Sequence, residues 1–206
     1  MKTREKIVST ALRLFNERGY STVTTRHIAS ELNISAGNLH YHFKHSEDIV
    51  KELFMMLKQE MDYTINTLKA NGSKDLEALY QYTTSTFEVV YAFRCIFLNF
   101  VDILRQIPDI ENLYKELNIS RKKEFLSVFS DFQRNKVFVE NIPDFILDHM
   151  VTQIFIIGDN WMNYNSLTLK LNKEDALKHY IPVFLNLFYP WLTADQQKLY
   201  QQKYIR

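Results

Sequence analysis

The sequence predicts an all-α fold, with a small N-terminal three-helix segment followed by a larger helical body. Three observations predict it. The 206 residues contain only four Gly and four Pro, too few for the turns of a sandwich, a barrel or a doubly wound sheet. Apolar residues recur at spacings of three and four almost throughout, the period of an amphipathic helix. The chain is also 46% hydrophobic and 14% aromatic, which suits a packed core and excludes low-complexity disorder.

The first helix is expected over Thr3 to Arg18, where Ile7, Val8, Ala11, Leu12, Leu14 and Phe15 form one apolar face. Gly19 stops it by supplying the left-handed conformation at a helix end. A second helix runs from Thr25 to Leu32, with Thr24 as N-cap and Ile28, Ala29 and Leu32 turned inward. Asn33-Ile34-Ser35 makes the turn into a third helix, Ala36 to Phe43, whose Leu39 and Phe43 face the core. Ser46 is placed to cap a long helix with Glu47 and Asp48 in its first turn, where the helix dipole favours acids. Its stripe is Val50, Leu53, Leu57, Met61, Ile65 and Leu68, and Asn71-Gly72-Ser73 ends it.

Six further helical stretches follow. One spans Lys74 to Arg94, with Leu76, Tyr80, Thr83, Phe87, Val90 and Tyr91 on its stripe, and the next reaches Gln106. A long helix spans Asp109 to Arg134, and Pro143 suits the first turn of another that carries Phe145, Ile146, His149, Ile154, Phe155 and Trp161. Asn172 opens a helix with an apolar stripe of Leu177, Tyr180, Ile181, Phe184, Leu185 and Phe188, which Pro182 kinks or tightens. Thr193 with Gln196 forms a capping box for a last helix. The expected total is nine or ten helices and no strand.

Net charge, +1, names no partner until it is divided. Residues 1–46 hold Lys2, Arg4, Lys6, Arg13, Arg18, Arg26 and Lys44 against Glu5, Glu17 and Glu31, a net of +4, so the remainder carries −3. Four of the six His (His27, His40, His42, His45) lie there too. A small basic segment on a mildly acidic body is a plausible footprint for nucleic acid.

Residues 24–43 carry the chemistry. A helix, a three-residue turn and a short second helix braced by the first make a helix-turn-helix, whose second helix enters the DNA major groove. Its outward face presents Ala36, Gly37, His40 and Tyr41, flanked by Asn38 and His42. Small side chains at 36 and 37 let the helix start approach DNA, where a backbone N–H can meet a phosphate. Ala36 can touch a thymine methyl and Arg26 can bind guanine bidentately. Thr25, Tyr41, His42 and Lys44 suit phosphate contacts, which set register rather than sequence.

These residues resemble the DNA-binding domain of the TetR/AcrR family of bacterial transcriptional regulators. The matching pieces are Ile7 to Gly19 with Tyr20, then Thr24-Thr25-Arg26-His27-Ile28-Ala29, then Ser35-Ala36-Gly37-Asn38-Leu39-His40-Tyr41-His42-Phe43-Lys44 with Glu47-Asp48 beyond. Two departures stand out. Ser46 occupies a position where members often have Lys or Arg on a phosphate, so Lys44 is the candidate for that contact. His40 stands where many members have Tyr, so base readout there should differ.

The resemblance implies a DNA-binding domain over residues 1–46 and a ligand-binding, dimerising domain over 47–206. Its DNA-binding set is Thr24, Thr25, Arg26, Ser35, Ala36, Gly37, Asn38, His40, Tyr41, His42 and Lys44. It also implies a homodimer on a double-stranded palindromic operator, usually a repressor released by a small molecule. Residues 47–206 hold 25 of the 29 aromatics, so the effector is expected to be apolar or flat. Phe87, Tyr91, Phe97, Phe100, Phe125 and Trp161 are the candidate lining residues, with ordinary core as the competing role. The resemblance further implies that the last two large helices, about 143–164 and 173–190, pair across the two-fold axis as a four-helix bundle, with the stripe of Leu177, Ile181, Phe184, Leu185 and Phe188 as the expected dimer interface.

Other functions find little support. No Gly-rich phosphate loop, His-Glu-x-x-His or nucleophile elbow occurs, so no catalytic residue and no cofactor is expected. His40, His42 and His45 lack an acid or Cys to complete a metal shell. A single Cys excludes a disulfide framework and fits a reducing cytoplasm. Cys95 reads as a small buried hydrophobe, with a redox role as the alternative. The run Lys115, Arg121, Lys122, Lys123, Glu124 reads as a solvated helix face, and Asp159-Asn160-Trp161 as a cap, interface or effector-orienting element. The most apolar stretch, Val89 to Leu104, is interrupted by Arg94, Asn99 and Asp102, so no membrane span is expected. The N-terminus does not read as a signal peptide, and a cytoplasmic location is expected. The runner-up function is a helical small-molecule sensor or carrier that does not act through DNA.

Overall fold

A computed structural model of the chain describes residues 2–70 and 75–204. The expected Asn71-Gly72-Ser73 stop and the helix start at Lys74 lie outside the described residues. Within them are eleven α-helices: α1 (Thr3–Arg18), α2 (Thr25–Glu31), α3 (Ala36–His42), α4 (Ser46–Ala70), α5 (Leu76–Ala92), α6 (Arg94–Phe97), α7 (Phe100–Gln106), α8 (Pro108–Arg134), α9 (Asp144–Leu167), α10 (Lys173–Leu185) and α11 (Ala194–Tyr204). Among the described residues the only β pairing is an isolated bridge, Phe138 to Leu192.

The helices group into two compact units. The first is Met1–Met61 with Ala92–Leu113, and the second is Asp62–Tyr91 with Tyr114–Arg206.

In the first unit α1 packs on α2, α2 on α3, and α1 on α6. Ile7, Val8, Ala11, Leu14 and Phe15 supply the buried face of α1, joined by Ile28, Ala29, Leu39 and Phe43. Full burial of one such side chain contributes roughly 1.5–3 kcal/mol. Gly19, at φ +89°, gives the chain the turn that ends α1, and Phe15 meets Tyr20 edge to face at 5.5 Å. Asn33 takes φ +54° in the turn between α2 and α3, a conformation Asn tolerates better than most residues. Arg4 lays its guanidinium over the Phe43 ring at 4.4 Å and pairs with Glu52 at 2.5 Å, which fastens α1 to the start of α4.

Ser46 is the first residue of α4 rather than its cap. Its hydroxyl donates to Glu47, while the Asp48 carboxylate accepts the His45 N–H at 3.0 Å. The acid three residues in secures the helix start, as in one half of a capping box. The helix expected to reach Gln106 is broken, with Leu98 and Asn99 between α6 and α7. The N–H groups of Leu98 and Asn99 bond back to Arg94 and Ile96, closing α6 as one tight turn.

The second unit has an aromatic core. Phe132 meets Phe138, which stacks on Phe188 at 6.0 Å; Phe188 meets Phe184, and Phe184 meets Phe87. Phe87 stacks on Trp161 at 5.0 Å, and Trp161 touches Tyr180 at 5.2 Å. Arg121 of α8 is 8% exposed at its side chain and pairs with Asp62 of α4 and Glu124, which also meets Lys69 at 3.4 Å. The expectation of a solvated face therefore holds for Lys122 and Lys123 but not for Arg121, which two carboxylates draw inward.

Two further expectations meet contacts made within the chain. Ile181, Phe184, Leu185 and Phe188 are buried within the single chain and Leu177 is half-buried. The four buried side chains face the chain's own core. Thr193 does not form a capping box: its hydroxyl donates to the Lys136 carbonyl at 2.9 Å, and the buried Gln196 Oε1 has no partner. A carbonyl from the loop after α8 has outcompeted the local cap. Pro182 sits inside α10, which runs on to Leu185 and closes with the Asn186 N–H on the Pro182 carbonyl at 2.9 Å.

Candidate nucleic-acid interface

Two side-chain caps shape the reading head. The Thr24 hydroxyl accepts the His27 N–H at 3.4 Å and the His27 ring returns the bond to the Thr24 N–H at 3.3 Å, fixing the start of α2. Ser35 accepts the Asn38 N–H at 3.1 Å and fixes the start of α3. Of the predicted set, Thr24 and Ser35 thus have a defined structural task in orienting the helices. The N–H groups of Ala36 and Gly37 have no acceptor within the helix, as at any helix start.

Leu39 and Phe43 anchor α3 from below. The opposite face is open: Ala36, Gly37, Asn38, His40 and Tyr41 are exposed, Tyr41 at 84%, and His42 is half-buried with its ring edge-on to Tyr41 at 5.2 Å. The starts of α2 and α3 enclose an open concavity of 320 Å³ lined by Thr25, Arg26, Ala36, Gly37, Leu39 and His40. It gathers five of the predicted DNA residues. Asn38, Tyr41 and His42 of α3 and Lys44 past its end lie outside it.

Gly37 is informative because nothing internal requires it. Its φ is not positive, and a Cβ built there would meet its nearest neighbour, the Ser35 hydroxyl, at 3.9 Å. The absence of a side chain at 37 keeps the outward surface low without relieving any contact inside the fold.

Charge is distributed differently from the sequence count. Arg4 pairs with Glu52, Arg13 with Glu17 and Glu31, and Arg18 lies 4.0 Å from Glu31. Glu31 holds the Arg13 guanidinium above its ordinary pKa, with Glu17 adding to it. Arg26 and Lys44 have no acidic partner among the described residues. The cations left for an external anion near the reading face are therefore fewer than the net +4 of the segment suggests.

The six candidate effector residues come from both units. Phe87, Tyr91, Phe125 and Trp161 belong to the second unit, while Phe97 and Phe100 stack on each other at 5.9 Å in the first. Phe125 meets Phe129, Phe155 and Tyr82 rather than Phe87 or Trp161. Trp161 carries a buried indole N–H with no partner. Sequence reasoning found no significance in Tyr114, whose hydroxyl donates to Asp159. Nor did it find Asn16, whose amide bonds to the junction of α5 and α6. Burial pushes the Cys95 thiol up to about 12, which removes the thiolate a redox role would need. Among the described residues no three His, Cys, Asp or Glu side chains gather into a metal-binding group, and no helix is long and apolar enough to cross a membrane.

Residues 7–53 match the family described as bacterial regulatory proteins, tetR family, and residues 56–200 match TetR, bacterial transcriptional repressor. The chain belongs to the TetR family. A relative from Staphylococcus aureus (strain Newman), the biofilm operon icaADBC HTH-type negative transcriptional regulator IcaR, is 30% identical over 152 residues, covering 70% of this chain and 78% of its own. A TetR-family transcriptional regulator from Marinobacter aquaeolei VT8 superposes with a TM-score of 0.89 at 26% identity, covering 99% of both chains. The ketosteroid transcriptional regulator KstR2 of Mycobacterium tuberculosis shares the fold at a TM-score of 0.69 and 19% identity, covering 93% of this chain and 96% of its own. This TetR-family chain is a transcriptional regulator, not an enzyme.

Proposed function

We propose that this regulator is a ligand-responsive repressor that binds a palindromic operator as a homodimer and is released by a small apolar or aromatic effector. The outward face of α3 carries the reading, with Gly37 left bare although the fold has room for a side chain there. In this reading α3 lies in the major groove, with Ala36, Gly37 and His40 against base edges. Arg26 reaches a guanine from the start of α2, and Tyr41, His42 and Lys44 hold phosphates. Two half-sites about 34–36 Å apart then fit the two heads of a dimer. IcaR is by name a negative regulator, which favours repression as the outcome.

The effector reading rests on the Trp161 N–H, buried beside Phe87 without a partner. A ligand with a hydrogen-bond acceptor would satisfy it. The domain division at 46/47 is kept as a functional proposal, reader before sensor.

Selection from a random-sequence duplex library by the full chain tests the DNA reading. A palindromic consensus is expected. Arg26→Ala should cost about 1–3 kcal/mol and relax preference at one guanine per half-site. A library that returns no enriched sequence at moderate salt overturns the reading.

A further inference from the structure

The break between α5 and α6 leaves two backbone groups without helical partners, the Ala92 carbonyl at the end of α5 and the Cys95 N–H at the start of α6. A single side chain from α1 satisfies both. Asn16 Nδ2 donates to the Ala92 carbonyl at 2.7 Å, and Asn16 Oδ1 accepts the Cys95 N–H at 3.0 Å. Arg94, one of the two residues between Ala92 and Cys95, closes the clasp from the other side by donating to the Asn16 carbonyl at 3.3 Å. Phe93, Cys95, Ile96 and Phe97 are buried around it.

This arrangement is more specific than packing. An amide is one of the few side-chain groups that can donate and accept at once in a fixed plane, and here both ends are used on a helix break 76–79 residues away. No residue on α2 or α3 is involved. The break is also the point where α5, which belongs to the second unit as far as Tyr91, hands the chain to the first unit at Ala92. A rotation or shift of α5 must move the Ala92 carbonyl, and the Asn16 amide must follow or let go.

We propose that Asn16 is a positioning residue for DNA reading: its side-chain amide clasps the α5–α6 break and sets the pose of the α1–α3 head, so that a change in α5 reaches DNA through this contact. The inference rests on the reading of the chain as a dimeric DNA-binding regulator. The clasp restricts the head to the pose that matches one half-site spacing. Without it the head samples other poses, so affinity at the optimal spacing falls while affinity at neighbouring spacings falls less.

The test uses the full-length chain and the operator that the wild-type chain selects from a random duplex library, re-synthesised with its half-sites one base pair closer and one farther apart. Asn16→Ala removes both hydrogen bonds; Asn16→Asp keeps the acceptor for the Cys95 N–H and loses the donor to Ala92. Cys95 is the only cysteine, so the rate at which native protein reacts with a thiol-specific disulfide reagent reports opening of the break directly. Expected for Asn16→Ala are labelling at least tenfold faster, at least tenfold weaker binding at the optimal spacing, and a flattened spacing preference, with the circular dichroism spectrum retained. Asn16→Asp should fall between it and wild type on all three readings, and it carries the test should Asn16→Ala not fold. Faster labelling with wild-type affinity and spacing preference overturns the proposal, since the amide would then be structural only. Wild-type labelling in both variants overturns it as well. If the wild-type chain selects no operator, the DNA reading itself fails and the proposal with it, a result distinguishable from either of the others.

Discussion

Asp159 illustrates how one half-buried residue can carry a condition of the whole fold. Its carboxyl accepts the Tyr114 hydroxyl, yet loss of hydration outweighs that bond and pushes its pKa up to about 6. Burial and the neighbouring carboxylate likewise push the Tyr114 hydroxyl up. A carboxyl raised on folding binds a proton more readily in the folded than in the unfolded chain, so this site costs stability above pH 6 and recovers it as pH falls toward 4. Asp159→Asn keeps an acceptor for Tyr114 and removes the ionisation. It should raise stability by about 1–3 kcal/mol at pH 8 and by nothing at pH 4. Denaturant melts of both proteins across that range check this, and a difference that does not vary with pH contradicts it. The residue was visible in the sequence only as an oddity beside Trp161, because its partner lies 45 residues away on another helix. The outward residues of α3 could be read in advance, since caps, turn and inward apolar pair all lie within twenty residues of one another. Asn16 could not, because an Asn on a helix announces nothing until the break it clasps is seen.

Individual helices followed from periodicity wherever one face was apolar and the ends carried local signals. Thr24 caps α2 as expected and Asn172 caps the helix it was expected to open, while Ser35, expected only as part of a turn, caps α3. Failures came where a distant group competed. Thr193 turns to Lys136, and α6 and α7 part at Leu98-Asn99 although the apolar pattern runs through both. The same limit hid the role of Arg121. Within a charged run it looked solvated, but it joins α8 to the second half of α4 through Asp62. Removing the two acids and removing the arginine should therefore differ. Asp62→Ala with Glu124→Ala strands a buried guanidinium and should cost about 3–5 kcal/mol. Arg121→Met fills the same space and leaves Asp62 and Glu124, 36% and 24% exposed, to be rehydrated, at a cost of about 1 kcal/mol. Urea melts of the variants give the order, and an arginine substitution costlier than the double acid substitution would show that the pairing is not what holds these helices.

For the proposed dimer, the sequence offered two helices, about 143–164 and 173–190, and one apolar stripe on the second. An apolar stripe at helical spacing says that a face is buried, not by what, and the 177–188 stripe is consumed by the chain's own aromatic core. What remains outside is on α9: Phe145, Ile156 and Leu167, at 61%, 58% and 80% exposure, recur every eleven residues, with His149, Thr152 and Asn160 exposed between them. Eleven residues are three helical turns at 3.67 residues per turn, so the three side chains lie in one row along the helix. Val183 of α10 is also exposed, at 45%. A row of this kind is where the second copy of the proposed dimer should sit across a two-fold axis, each α9 meeting its equivalent. Ile156→Asp at the middle of the row should place two carboxylates near the axis and desolvate both. Sedimentation is expected to show a monomer at concentrations where wild type is dimeric, with each monomer still folded, because Ile156 contributes little to the core. Binding to the full operator should fall by at least a hundredfold, since the two heads no longer share one association step, while binding to an isolated half-site stays as weak as in wild type. Replacement of the buried Ile181 by Asp should instead unfold the chain. A dimer that survives Ile156→Asp would move the interface off α9 altogether.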